Sequence, residues 1–387
     1  MKRGILVITT LLLLAGLLNK PAQASKLQVE INSDPPLCLP AAYPVEPVDC
    51  LPFGPSAYLT EMLRKGISYP FRSLPVQHPD PALQYATDSF LSVTSGSISM
   101  YTSLEDAISG NPVQTLGPGL MKYLAISQRV ERSEGIFYAL TSGLWVRAGD
   151  IDASCCIRSG RYQGLLMAGK PSNSFGWIVD QVKPRTAPGY SAPETNNVLY
   201  RETIVQIYDI QTIDNTKWYM IGLDKWVERR YIRQMEILTS PPEGVDNGRW
   251  IDINLYEQTL GVYEDGKLIF ATLVATGVDP FFTKPGLFQI YDKLEKTNMS
   301  GSFEPDRSDY YYLENVPHTL YYDEARAIHG AYWRTLFGYP QSHGCINLSI
   351  GDAAWVYNWA KLGDWVNVWD PSGETPTDPD FYTPGGA

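Results

Sequence analysis

The sequence predicts a mostly β protein made of β modules in series. Three observations predict it. From about Ile98 onward, short runs rich in β-branched and aromatic residues are separated by Gly, Pro, Asn and Asp. Phe137-Tyr138-Ala139-Leu140, Trp145-Val146 and Ile151 recur as Trp218-Tyr219-Met220-Ile221, Trp226-Val227 and Ile232, each position 81 residues from its partner with no gap. After the turn formers Pro241–Gly248, the segments Arg249 to Leu255, Thr259 to Glu264 and Lys267 to Ala275 alternate or run apolar, and Glu264-Asp265-Gly266-Lys267 is a hairpin turn signal.

Composition bounds the classes. The 387 residues are 44% apolar and 12% aromatic, too rich in both for a disordered chain. Thirty-two glycines and no Ala/Glu/Lys/Leu bias exclude collagen and long coiled coils. A net charge of −11 is a poor match for nucleic acid, where Lys and Arg neutralise phosphates, so no nucleic-acid partner is expected.

In chain order, Lys2 and Arg3 precede fifteen uncharged residues, Gly4 to Leu18, and Ala22-Gln23-Ala24 is a small-x-small cleavage site. This is the pattern of a signal peptide over 1–24, with a retained anchor as the other reading. Export to the cell envelope is the expectation. Residues 25–95 read as an N-terminal arm, with seven prolines between 35 and 55 and one short helix over Ser56 to Lys65. The first repeat spans 96–155, a linker or extra strands 156–181, and the second repeat 182–240. A β-rich unit follows over 247–370. Within it, Asp352 to Leu362 has apolar residues at near-helical spacing and Gly363 stops it, with Asp352 placed as a helix N-terminal residue. Asp364 to Trp369 reads as a last strand, and 371–387 as a loose tail.

Five cysteines leave one over. Cys38 and Cys50 flank a Pro-rich loop and are able to pair after export. Cys155 and Cys156 are neighbours, so a bridge between them is strained, and two free thiols or two separate partners are the alternatives. Cys345 stands alone, within Ser342-His343-Gly344-Cys345-Ile346-Asn347. A thiol becomes a nucleophile when a base or positive field holds it as thiolate. Two bases are candidates: His343, two residues away, and His329 in Ile328-His329-Gly330. A base arriving from another strand approaches the sulfur more directly, which favours His329. Gly344 removes a side chain before the nucleophile and lets backbone N–H groups, including that of Cys345, face a developing oxyanion. A buried inert thiol is the bland alternative. Zinc needs three or four ligands; His329, His343 and Cys345 make three, but no C-x-x-C or H-x-x-x-H spacing supports a metal, and no cofactor motif is present.

His329, then twelve residues (Gly330–Gln341), then Ser342-His343-Gly344-Cys345-Ile346-Asn347 resembles the L,D-transpeptidase catalytic-domain family. Thr276-Gly277 with Thr283-Lys284-Pro285-Gly286-Leu287-Phe288 resembles a flanking strand-turn-strand of that family, and the likeness covers about 247–370. The two repeats resemble bacterial SH3-like modules. The resemblance implies a C-terminal β-sandwich preceded by two small SH3-like barrels. It implies acyl transfer on peptidoglycan stem peptides without a cofactor: Cys345 attacks the carbonyl before the terminal D-Ala, a thioester forms, and an amine accepts the acyl group. His329 is then base and acid, the Gly330 carbonyl orients its ring, His343 and Gly344 shape the cysteine loop, and the Gly344–Cys345 backbone forms the oxyanion hole. Ser342, Tyr322 and Asn347 are the expected substrate-side residues. Asn347 stands where many members carry Arg. Rivals are a carboxypeptidase or amidase that uses water, and a catalytically silent wall-binding protein. For the repeats, wall binding through the aromatics stands beside simple core filling by the tryptophans.

Overall fold

Two β-sheets face each other across one apolar core in the computed structural model, which describes residues 61–67, 72–84, 86–93, 96–119, 121–150, 153–155, 162–302 and 306–382. Residues 65–387 make one structural unit; of the unit before it, residues 61–64 are helical. The expected signal peptide, the prolines of the arm, Cys38, Cys50 and Cys156 lie outside the described residues, as does the side chain of Cys155.

The first sheet runs in the order Val76–Gln77, Leu165–Met167, Lys267–Leu273, Thr259–Glu264, Arg249–Asn254, Trp365–Trp369, Gly286–Gln289. One interior strand, Arg249–Asn254, is buried on both faces from Trp250 onward although polar residues alternate along it, and buried Asp252 is satisfied by the side chains of Asn367 and Trp369 (2.7 and 2.9 Å). The hairpin between Thr259–Glu264 and Lys267–Leu273 turns on Asp265 and Gly266, both at positive φ (51° and 72°), as a two-residue turn of the right-handed twist requires. The second sheet follows the path Ile346–Leu348, Arg326–Gly330, Tyr311–Asp323, Met121–Arg132, Ser89–Val93, Ala153–Cys155, with Asp292–Gly301 also paired to Tyr311–Asp323. Between the sheets lie Ile251, Leu260, Val262 and Phe270 from one side and Leu320, Ile328, Ile346 and Leu348 from the other, with Ala353 and Val356 of the helix Ile350–Trp359. Ser349 caps that helix: its hydroxyl accepts from the Asp352 backbone N–H (3.2 Å) and donates to the Asp352 carboxylate (2.6 Å). The helix therefore begins two residues before Asp352, not at it.

The first repeat is not a separate bead. Its strand Met121–Arg132 pairs in parallel with Tyr311–Asp323, Met121 opposite Tyr311 and Tyr123 opposite Leu313. The Ala125 N–H donates to buried Glu314 (2.8 Å), and Phe90 stacks on Tyr332 at 3.5 Å. Of residues 156–181, expected as a linker or extra strands, Leu165–Met167 and Ser174–Ile178 are strands, the first at the Lys267–Leu273 edge. Gly and Ser in this stretch weaken its local strand signal; pairing supplied by sequence-distant strands overrides it. The tail is docked through Tyr382, buried beneath the Arg326 guanidinium (5.5 Å). An aromatic among Pro and Thr finds a cation that local composition does not reveal.

The two copies of the repeat keep one plan. Gly135–Leu140, Trp145–Arg147, the 3-10 turn Ala148–Asp150 and Ala153–Cys155 correspond to Thr216–Gly222, Lys225–Glu228, the 3-10 turn Arg229–Tyr231 and Ile232–Met235. In the second copy, Ile232–Met235 joins Ser174–Ile178 and Ile204–Ile207, while Asp209–Ile213 joins the hairpin.

Candidate active site

Register puts the key groups together. Arg326–Gly330 and Ile346–Leu348 are adjacent parallel strands with Ile328 opposite Ile346 and His329 opposite Asn347. Side chains alternate faces along a strand, so Ile328 and Ile346 enter the sandwich core, while His329 and Asn347 turn to the other face with Cys345, one residue ahead of the ladder. There His329, Cys345 and Asn347 line one cavity of about 30 Å³ with Met121, Met299, Tyr311, Leu313, Trp333, Arg334, Ser342 and His343. That volume is about one water molecule.

The imidazole is held at both nitrogens. The Gly330 carbonyl takes the proton of Nδ1 (3.2 Å), so Nε2 carries the lone pair, and the Asn347 amide donates to it at 3.0 Å. Asn347 is held in turn: Arg334 Nε donates to its Oδ1 at 2.6 Å, and the rest of the half-buried guanidinium bonds the side chain and carbonyl of Gln341. Asn347, expected on the substrate side, lines the cavity and also holds the ring from which a base would act. Desolvation lowers His329 to about 4, partly opposed by the Gly330 bond and reinforced by the Arg334 charge.

Cys345 is 7% exposed. Burial pushes its thiol up to about 11, against the opposing pull of the Ala327 N–H and the Arg326 charge. Its S–H points to the Ala325 carbonyl at 3.9 Å. Both shifts act toward the neutral pair, thiol and imidazole. The reactive ion pair requires moving the proton from Sγ to Nε2.

The loop before the nucleophile is stitched from several directions. Gly344 has φ +117°, a conformation that favours glycine, and Thr283 donates to its carbonyl (2.8 Å) while itself accepting from the Gly277 N–H (2.8 Å). The Ser342 hydroxyl donates to the Cys345 carbonyl (2.5 Å) and accepts from the Gly344 N–H (3.2 Å). Ser342 is therefore a loop clasp, and the Gly344 N–H expected in an oxyanion hole is already bonded. His343 lies between Tyr311 (5.4 Å, stacked) and Phe281 (4.7 Å), a wall of the cavity. Tyr322 does not reach the cleft. It packs in the core beside Phe288 (5.4 Å), because alternation sends Tyr321, not Tyr322, to the Cys345 side. Among the described residues no three His, Cys, Asp or Glu side chains form a metal-binding group.

Sequence reasoning missed Arg334 and Met121. Arg334 follows Tyr332-Trp333 at the half-buried end of a buried stretch, where a cation among aromatics needs fixed partners; that is a signal. Met121 comes to the cavity from about 200 positions upstream, through sheet pairing alone.

These elements define a mostly β chain with a thiol and an imidazole on one sheet face, and residues 248–368 match the YkuD family model, the L,D-transpeptidase catalytic domain. A candidate L,D-transpeptidase of Bacillus subtilis (strain 168), YciB, is 27% identical over 126 residues, which is 28% of this chain and 59% of that protein. The chain thus spans about three fifths of the length of this curated relative. Among solved structures, an L,D-transpeptidase from Stackebrandtia nassauensis is 26% identical over 36% of this chain and 63% of its own, with a TM-score of 0.27. The catalytic domain of an E. faecium L,D-transpeptidase is 25% identical over 33% of this chain and 100% of its own, with a TM-score of 0.29.

Proposed function

We propose that this chain is an exported peptidoglycan L,D-transpeptidase with Cys345 as nucleophile and His329 as base. The observation that carries the reading is the shared cavity: a buried thiol and a tautomer-fixed imidazole, two register steps apart on the same face of neighbouring parallel strands. In the proposed reaction a stem tetrapeptide enters as the cavity opens, and displaces the Asn347 amide from Nε2. His329 takes the Cys345 proton, and the thiolate attacks the carbonyl between the third residue and the terminal D-Ala. The tetrahedral oxyanion forms beside the Cys345 backbone N–H. His329 returns the proton to the leaving nitrogen, D-Ala departs, and a thioester remains. An amine of a second stem then attacks, giving His329 its proton, and the thiolate leaves as a 3→3 cross-link forms. A narrow pocket suits transfer, because water must lose to the amine. The SH3-like reading of the repeats supplies wall binding in this proposal. Incubation with a tetrapeptide-bearing muropeptide tests it: dimer plus free D-Ala supports transfer, whereas tripeptide plus D-Ala without dimer identifies hydrolysis, and unchanged substrate removes the enzyme reading.

A further inference from the structure

The two copies of the repeat treat the same aromatic positions differently. In the first, Leu104, Ala107 and Ile108 of the short helix Leu104–Ser109 pack on Phe137 and Trp145, so the chain plugs its own aromatic face. Phe137 and Trp145 correspond to Trp218 and Trp226. The backbone bridge that leads into the helix, Tyr101 to Trp145, has its counterpart in Arg185 to Trp226. In the second copy a loop follows instead of a helix, held by the Arg185 guanidinium on the carbonyls of Tyr190 (3.1 Å) and Ala192 (2.7 Å). What remains is a cavity of about 270 Å³, walled by Tyr190, Trp218, Trp226 and Tyr231.

The lining specifies an occupant. Tyr190 stands edge-on to Trp218 at 5.4 Å yet is 55% exposed, giving a flat apolar wall open to solvent. Trp218 is 2% exposed, and its indole Nε1 has no acceptor among the described residues. An indole N–H only donates, so it calls for a carbonyl or carboxylate oxygen. Four charges at the rim cancel in pairs, Arg185 with Glu194 (3.4 Å) and Arg230 with Glu228 (3.0 Å). Lys183 lines the same cavity, is exposed, and has no carboxylate partner among the described residues.

We propose that this cavity binds a short peptide carrying a free carboxylate, which sits on Lys183 while a peptide carbonyl meets the Trp218 N–H. Resting on the function proposed above, that peptide is a peptidoglycan stem. The second repeat is then the binding copy and the first is scaffold.

The test uses the full chain as Cys345→Ala, which blocks turnover, titrated by calorimetry with a synthetic stem tetrapeptide. Lys183→Ala and Tyr190→Ala, both at exposed positions, should each weaken a binding component about tenfold, and Trp218→Phe, which keeps a ring and removes the N–H, should weaken the same component. A titration that none of the three changes overturns the site. Release of D-Ala by the wild-type protein reports the catalytic reading separately. Turnover with unaltered titrations sinks the site alone; no turnover, with binding that depends on Lys183 and Tyr190, sinks the transpeptidase reading and leaves the site standing.

Discussion

Cys345 and His329 are each tuned by burial in the direction that keeps a proton on sulfur. Near neutral pH the resting thiol should therefore be slow toward small alkylating agents. Its iodoacetamide modification rate should keep climbing past pH 9 toward its value of about 11, and not level off near the ordinary thiol value of about 8.5. A plateau at neutral pH, read by peptide mass spectrometry, would mean a resting thiolate. The neighbouring chain Arg334–Asn347–His329 fixes which face of the amide meets the ring. Arg334→Ala frees Asn347 to flip and offer oxygen to Nε2, which favours the wrong tautomer. We expect kcat to fall about tenfold or more with KM little changed, since positioning is lost while substrate contacts remain. Steady-state kinetics on a soluble donor checks this. Little of the network is legible in sequence. The Cys-His pair announces itself through a short motif, but the Asn347–His329 bond needs the strand register, and a one-residue error in alternation assigns Tyr322 to the cleft in place of Tyr321.

At the scale of elements, the helix Ile350–Trp359 carries a buried acid. Desolvation pushes Asp352 up to about 7, against its bonds to Ser349 and the Gln163 N–H. In the unfolded chain such a group ionises near about 3.9. Between about pH 4 and 7 the unfolded chain has lost a proton that the native protein keeps. The unfolded state then binds fewer protons, so this group's contribution falls as pH rises through that window and is flat above it. Asp352→Asn, which retains an acceptor for the cap, should reduce the downward slope of stability between pH 4 and 7, measured by denaturant unfolding. Asp252, raised to about 6 by burial, leaves a smaller slope of the same sign. An unchanged slope would show that Asp352 ionises freely in the native protein. Elements were readable where local chemistry sets them: the Asp265-Gly266 turn and the stop at Gly363. The strand Leu165–Met167 was not, because its pairing partners lie about 90 residues before it and about 105 after it in the chain.

Across the whole molecule, the upstream strand Met121–Arg132 extends the sheet that bears the site and presses Met121 into the cavity. Truncating that side chain should open a path to the sulfur. Met121→Ala should raise the rate of Cys345 labelling by a maleimide several-fold, about threefold or more, at a stability cost below about 2 kcal/mol because Met121 is only half-buried; equal labelling rates would mean that substrate enters elsewhere. The tandem plan of the repeats was visible in the 81-residue spacing, but the merging of the first copy with the catalytic sheet was not, since sheet-to-sheet pairing leaves no periodic trace. The central claim, that Cys345 takes an acyl group from a stem peptide, is tested most directly by mass spectrometry of the protein after brief exposure to a tetrapeptide donor. The account predicts an adduct of donor mass less D-Ala on the Cys345 peptide, absent from Cys345→Ala. Release of D-Ala with that peptide unmodified, or full turnover by Cys345→Ala, would contradict it.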